Sequence, residues 1–375
     1  MSEHAGDALA QEREALRATV RTMLERTSSE AEVRRLMETE IGYDEAVWKQ
    51  AAEGLGLTGL AIPEEFGGSG FGPLELAIVF EEIGRSLYGG PFLATVGLAA
   101  SALLASGDDA AKKEWLPGIA AGTTTATLAL TEESSAWTAD AITTAATRDG
   151  DAYRLSGVKW YVLAGHTADL ILVVARTDDG VGLFAVSADA AGLTREPMAT
   201  MDATRKMARL TFDNVTAQPV GAQTDGWQIV EQALQQAAVM LAAENVGGAQ
   251  RCLDMAADYA RERIQFGRPV GSFQAVKHKL ANLLIEVEQA KSAAYFAARE
   301  AASNGDDLPL AASLAKAYTG DAFFHVAADN IQIHGGIGFT WEHPAHLYFK
   351  RAKTNQLLLG SSSYHRAIVA DTVGI

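Results

Sequence analysis

Leu170-Ile171-Leu172-Val173-Val174-Ala175, the turn Asp178-Asp179-Gly180, then Val181-Gly182-Leu183-Phe184-Ala185-Val186: reading this stretch decides the fold. Two short apolar runs rich in β-branched residues, parted by an Asp-Gly signal, predict a β-hairpin. Outward from it, Val158-Lys159-Trp160-Tyr161-Val162 and Thr125-Ala126-Thr127-Leu128-Ala129-Leu130 have the same character. About seven such strands between residues 123 and 220 predict a small antiparallel barrel or sandwich. Long parallel βαβ units are absent, and no Gly-x-Gly-x-x-Gly follows a strand, so a Rossmann domain is disfavoured.

On both sides the period changes to that of helices. Before the strands, Leu16, Val20, Met23 and Leu24 recur at helical spacing, and Leu74, Leu76, Ile78, Val79, Ile83 and Leu87 form a second stripe. Between these stripes Ile62-Pro63-Glu64-Glu65-Phe66-Gly67-Gly68-Ser69-Gly70 reads as a loop. After the strands, Trp227 to about Arg263 and Ser272 to about Ser303 are nearly free of breakers, and Asn304 to Pro309 is a stop and restart. Long alanine-rich helices predict a four-helix bundle that also makes subunit contacts. The expected class is α+β: a helical domain over 1–122, a β-domain over 123–220 and a helical bundle over 221–375.

Composition narrows the function. The chain has 375 residues, a formal charge of −16 and 48% hydrophobic residues, ordinary for a folded protein of several packed units. The acidic balance argues against nucleic acid and anionic membranes as partners. The single cysteine, Cys252, forms no internal disulfide, and no His-x-x-x-His or Cys-x-x-Cys spacing suggests a metal. Residues 1–14 are polar and unlike a secretory or transit peptide, and no apolar run reaches the ~18 residues of a membrane span. The expected setting is cytoplasmic.

Two segments carry candidate chemistry. In Tyr259-Ala260-Arg261-Glu262-Arg263-Ile264-Gln265-Phe266-Gly267-Arg268-Pro269 a helix is expected to end at Gly267 with arginines gathered at its C-terminus. A capped helix with solvated arginines is the plain reading, but guanidinium groups also suit a pyrophosphate. Ser272-Phe273-Gln274 opens the next helix, whose N-terminal amides and Gln274 amide are able to complete an anion and ribityl or adenine pocket. In Gln332-Ile333-His334-Gly335-Gly336-Ile337-Gly338-Phe339-Thr340-Trp341-Glu342, glycines beside aromatics let a backbone approach a flat ligand.

Together, the α–β–α order, the Ile62–Gly70 loop, Tyr259-x-x-x-Arg263-x-Gln265-Phe266-Gly267 with Phe273-Gln274, and Gln332-x-x-Gly335-Gly336-x-Gly338-Phe339 resemble the acyl-CoA dehydrogenase family. The resemblance spans nearly the whole chain. It implies FAD as cofactor, an acyl-CoA thioester as substrate, an electron-transfer flavoprotein as acceptor and a dimer of dimers. It also implies that Arg263, Gln265, Phe266, Phe273, Gln274, Gln332, Gly335 and Gly336 hold the pyrophosphate and adenosine of a flavin seated mainly on the neighbouring subunit.

The chain departs from the family at four places. The usual glutamate base is replaced in Leu357-Leu358-Leu359-Gly360-Ser361, where Leu359 has no proton-accepting group. The alternative base position, in Leu234-Gln235-Gln236-Ala237-Ala238-Val239, has neither glutamate nor arginine. The flavin motif of the β-domain reads Thr131-Glu132-Glu133-Ser134-Ser135-Ala136-Trp137, and the strand facing the ring reads Tyr161-Val162-Leu163-Ala164-Gly165, without the hydroxyl and amide. Residues that seat a flavin within one subunit are lost, while those that reach across are kept. That pattern is similar to the non-catalytic subunit of the heterotetrameric (α2β2) acyl-CoA dehydrogenases of actinobacterial steroid degradation, working with a sister subunit on a steroid-CoA or other bulky acyl-CoA substrate.

Two other readings stand beside it. One is a self-sufficient homo-oligomeric dehydrogenase with Glu244, in Leu241-Ala242-Ala243-Glu244-Asn245, as its base. Buried carboxylates are unusual and often functional, though one paired with an arginine at a helix interface serves structure alone. The other is a flavin-free binding or structural homologue. His334, His343 and His346 read as hydrogen-bonded side chains, Lys350-Arg351-Ala352-Lys353 as a solvated basic patch, and Trp160 and Tyr161 as core of the β-domain.

Overall fold

The computed structural model describes residues 2–303 and 305–375. Its helices are α1 (Ser2–Thr27), α2 (Glu30–Met37), α3 (Glu45–Lys49), α4 (Pro73–Ser86), α5 (Ser101–Ala105), α6 (Asp109–Ala120), α7 (Gly226–Glu262), α8 (Gln274–Ser303), α9 (Leu308–His334), α10 (Ala345–Leu357) and α11 (Ser362–Val373). The strands are β1 (Ala126–Ala129), β2 (Ala145–Asp149), β3 (Ala152–Leu163), β4 (Leu170–Thr177), β5 (Gly180–Ser187), β6 (Leu193–Met198) and β7 (Met207–Val220), with a two-residue pair β8 (Ile264–Gln265) and β9 (Arg268–Pro269). The described chain groups into two units. One gathers the chain up to Arg34, Pro73–Tyr88 and Ala238–Ile375; the other holds Arg35–Gly72 and Gly89–Ala237.

In the second unit, β4 and β5 form the expected hairpin, with Thr177 opposite Gly180 and Asp178-Asp179 at the turn. Strand order runs β1-β4-β2-β3-β7-β5, with β6 on β7, and β4 also pairs with β5, which closes the sheet on itself. Leu155, Ile171, Val173, Phe184, Val186, Leu210, Phe212 and Val215 fill its interior. The sheet is not purely antiparallel, because β1 runs parallel to β4 in the register Ala126–Leu170 to Ala129–Val173. The reason is visible in burial: all four residues of β1 are buried, the unbroken pattern of a strand covered on both faces. A second expectation also fails. The β3–β7 register slips between Lys159 and Val162, and Tyr161 adopts a left-handed φ of 56° that turns its ring outward. Tyr161 is exposed, and Trp160 is half-buried beneath the Arg209 guanidinium, 4.8 Å from the ring centre, so neither is a core residue.

In the first unit, α1 and α4 join the helices from α7 onward. Helices α4 and α7 meet backbone to backbone: a Cβ on Gly84 would lie 1.9 Å from the Glu244 carbonyl, and one on Gly247 would lie 1.8 Å from that of Glu81. Only glycine permits this approach. Ion pairs fasten α1 onto α4, with Arg17 Nη1 2.9 Å from Glu81 Oε2 and Arg21 Nη2 2.7 Å from Glu82 Oε1. Among the described residues no helix is long and apolar enough to cross a membrane.

Candidate functional site

The arginine segment is built differently from a simple helix end. Helix α7 stops at Glu262, five residues before Gly267, and residues 264–269 form the small β8–β9 hairpin. Its turn residues Phe266 and Gly267 both have left-handed backbones, φ 53° and 78°, the geometry of a two-residue hairpin turn. That turn throws Phe266 into solvent, where it is 90% exposed. Arg263, Gln265 and Gln274 are exposed as well. Phe273 is half-buried: its ring meets Phe266 edge-on at 6.1 Å and lies 4.0 Å below the Arg268 guanidinium.

The glycine segment leaves the end of α9. Gly335 takes φ 64° and ψ −139°, a combination open to glycine, and Gly335–Phe339 makes one tight turn. A Cβ on Gly335 or Gly336 would meet no atom of the chain within 4 Å, so their bareness relieves no internal clash and leaves open space on the outer side. Gln332, Phe339 and Trp341 are exposed around it. Tyr259, one turn before the end of α7, stacks on His334 at 4.4 Å between ring centres and ties the two helix ends together. The stack thus brings together segments some 70 residues apart, with Arg263, Gln265, Phe266, Gln274, Gln332, Gly335 and Gly336 facing outward. A groove of about 750 Å³ between α7 and α8, lined in part by Arg251, Asp254, Arg261, Pro269 and Gly271, adjoins the hairpin. Guanidinium and amide donors beside bare glycines and exposed aromatic rings suit a nucleotide diphosphate and its base.

Glu244 and the loop at 358–360 are buried instead. Glu244 on α7 is 1% exposed, and its Oε1 lies 3.0 Å from Nη1 of Arg351 on α10, which is equally buried. Asn355 Nδ2 donates to the same oxygen at 3.2 Å and to Asn245 Oδ1 at 3.0 Å, and Asn245 donates to Thr319 of α9. Arg351 is therefore an interior residue, not part of a solvated basic patch; its guanidinium is the partner that Glu244 needs inside the bundle. Leu359 is 3% exposed and sits at a left-handed φ of 61°. His365 Nε2 donates to its carbonyl at 2.9 Å, and the buried Lys316 ammonium donates to the Gly360 carbonyl at 3.1 Å. Burial pushes Lys316 down to about 8, and burial with the nearby ammonium pushes His365 down to about 4. The loop is tightly held around a side chain with no acid–base chemistry.

In the second unit, the Thr131–Trp137 segment contributes an internal ion pair. Burial opposes the charge of Glu132, but Lys159 at 2.8 Å and the Thr143 and Thr144 donors hold its carboxyl down at about 2. Lys159 is fully buried, which lowers it to about 8 despite that partner. The Leu163 carbonyl accepts from Thr127 Oγ1 at 2.6 Å, and the Leu163 side chain is buried. Leu163 and Ala164 bring no side-chain donor to a flavin ring, so this strand does not fit the group that the hairpin and glycine turn do fit.

Family models agree along the chain: those for the N-terminal, middle and C-terminal domains of acyl-CoA dehydrogenase match residues 10–123, 127–215 and 224–374. The acyl-CoA dehydrogenase IpdE2 of Mycobacterium tuberculosis is 36% identical over 360 residues, covering 94% of each chain. The chain belongs to the acyl-CoA dehydrogenase family. Among solved structures it is similar to a variant of the Tcur3481–Tcur3483 steroid acyl-CoA dehydrogenase (34% identity, TM-score 0.89, 98% of each chain). It is also similar to a chain of the ChsE4–ChsE5 complex of Mycobacterium tuberculosis (30% identity, TM-score 0.88, 96% of this chain and 97% of that one). As a member of this flavoprotein family it is an oxidoreductase acting on acyl-CoA, and FAD is the cofactor that membership implies. Asn355 and Lys316 escaped the sequence reading, Arg351 was expected in solvent, and Tyr259 stood in the Arg263 motif without a role of its own. Only Tyr259 carried a local signal, its place one turn before Arg263.

Proposed function

We propose that this chain is the cofactor-completing subunit of a heteromeric acyl-CoA dehydrogenase, with the reaction taking place on a sister subunit. The observation that carries this reading is an asymmetry. The residues at the hairpin and the glycine turn are exposed and donor-rich, whereas position 359 is a buried leucine. Arg263 would meet the pyrophosphate, and Gln265, Gln274 and Gln332 would orient the nucleotide beside the bare faces of Gly335 and Gly336. FAD supplies the hydride acceptor; this chain supplies binding and orientation. The α-proton would be removed by a glutamate of the sister chain, and an electron-transfer flavoprotein would take the electrons. Similarity to a steroid acyl-CoA dehydrogenase and to a chain of a two-protein complex supports a steroid-CoA or other bulky acyl-CoA substrate and an α2β2 assembly.

The test is flavin absorbance near ~450 nm, a property of the oxidised cofactor, for the chain alone and co-expressed with a sister dehydrogenase. An empty lone chain and about one flavin per heterodimer is the expected result; stoichiometric flavin in the lone chain would overturn it. Glu244 is assigned a structural role, because its charge is engaged by Arg351 within the bundle. Glu244→Gln in the assembled enzyme should keep kcat per folded site, whereas loss of a true base would lower it by about 10²–10⁴.

A further inference from the structure

Tyr259, His334 and His343 form a continuous three-ring stack, with centres 4.4 Å and then 4.1 Å apart. It spans the ends of two helices and the far side of the glycine turn, so the turn lies between two of its rings. Hydrogen bonds define the proton positions. His334 Nδ1 lies 2.8 Å from the Asn330 carbonyl and therefore carries a proton there. His343 Nδ1 accepts the Ala345 N–H at 3.2 Å, at the start of α10, and is therefore bare. A second ring contact follows on the same side: His346 meets Trp341 at 4.6 Å, with the Lys350 ammonium 4.4 Å from the Trp341 ring centre.

We propose that the stack Tyr259–His334–His343 is a proton-sensitive joint that keeps the hairpin and the glycine turn in register, so that acidification loosens the turn and its grip on a nucleotide. The inference rests on the reading that these two segments hold a flavin nucleotide. Protonating His343 removes the acceptor for Ala345 and sets a cation against the His334 ring. From α2, Arg34 opposes that charge and Glu30 favours it; Lys350 opposes charge on His346, and Asn330 offers only its carbonyl to His334. Burial holds all three below the ordinary imidazole value of 6.5, against the Asn330 carbonyl at His334, helped first by His334 at His343 and by Lys350 at His346. A depressed imidazole contributes stability that is complete above that ordinary value and is lost as pH falls through the folded one. Loosening is therefore expected on the acid side of 6.5.

The experiment is hydrogen exchange of the peptide spanning 335–342 in the co-expressed complex from pH 7.5 to 4.5, corrected for the intrinsic rate. Protection should fall about tenfold or more toward acid in the wild type, the factor that one pH unit of linkage supplies. The fall should shrink in His343→Phe, which keeps a ring and removes the proton, and shrink further when His334→Phe is added. A flat wild-type profile, or the same fall in a folded Phe variant, overturns the joint. Flavin retained after gel filtration at each pH separates the two claims. Loss in step with protection supports both, while acid loosening with flavin fully retained leaves the joint standing and overturns the nucleotide-holding role of the segment.

Discussion

Two loops of the first unit, both at helix ends, have opposite fates. The hairpin at 264–269 points its polar side chains and Phe266 outward, while the loop at 357–361 turns Leu359 inward and fixes two of its carbonyls with His365 and Lys316. Both contain a non-glycine residue at positive φ. In the hairpin that strain displays a side chain. In the other loop it is stored around a leucine without chemistry, in a backbone that still makes a sharp turn. The difference teaches that the backbone of a loop and the chemistry it carries are set by different residues. Position 359 alone decides what side chain the turn carries; dismantling the loop would require changing Lys316, His365 and Asp321, the last of which holds Gln356 and Ser362.

The sharpest way to break this comparison is through Arg351. If Glu244 is structural, Arg351→Met strands a carboxylate inside the bundle and should cost about 3–5 kcal/mol in urea unfolding. Arg351→Met with Glu244→Leu should recover most of that loss. An unchanged midpoint in the single variant would show that the carboxylate has other uses. Next comes the exposed face: Arg263→Ala with Gln274→Ala removes one charged and one neutral hydrogen-bonding group, about 2–4 kcal/mol of cofactor binding together. Flavin content of the complex should drop sharply while the melting temperature of the lone chain stays put. Unchanged flavin occupancy would remove the basis for a cross-subunit role.

What the sequence made legible follows range. Strand and helix periods, the Asp178-Asp179 turn and the two motifs of the exposed face are local patterns, and they were readable one segment at a time. Pairings across the chain were not. Glu244 and Arg351 are 107 positions apart, and a buried arginine looks the same in sequence as a solvated one beside Lys350 and Lys353. The parallel β1–β4 contact and the slip at Tyr161 depend on which strand lies next door, which hydrophobic pattern leaves open. The hairpin at 264–269 looks in sequence like a helix end, because Gly267 is equally at home in a helix cap and in a tight turn.

The buried loop offers a smaller effect. Leu359→Glu places a carboxyl at a position only 3% exposed, and burying it even as a neutral acid should lower stability by about 1–3 kcal/mol. The lone chain should gain no dehydrogenase activity, since Leu163 and Ala164 still bring no donors to a flavin ring. Turnover by the lone variant would show that the second unit seats its own cofactor, and the division of labour would fall.

The smallest effect has the most informative sign. Phe266 makes its edge contact with Phe273 but is otherwise in solvent, and it pays backbone strain at φ 53°. Phe266→Gly should leave the lone chain unchanged or more stable by up to ~1 kcal/mol, because glycine adopts the left-handed turn freely. The same variant should weaken flavin retention in the complex, because a ring held outward against strain has its stabilising partner outside this chain. Stability and retention moving in opposite directions is a result that no internal packing role produces. A variant that loses both together would return Phe266 to the fold, and a variant that changes neither would leave the strain without a function.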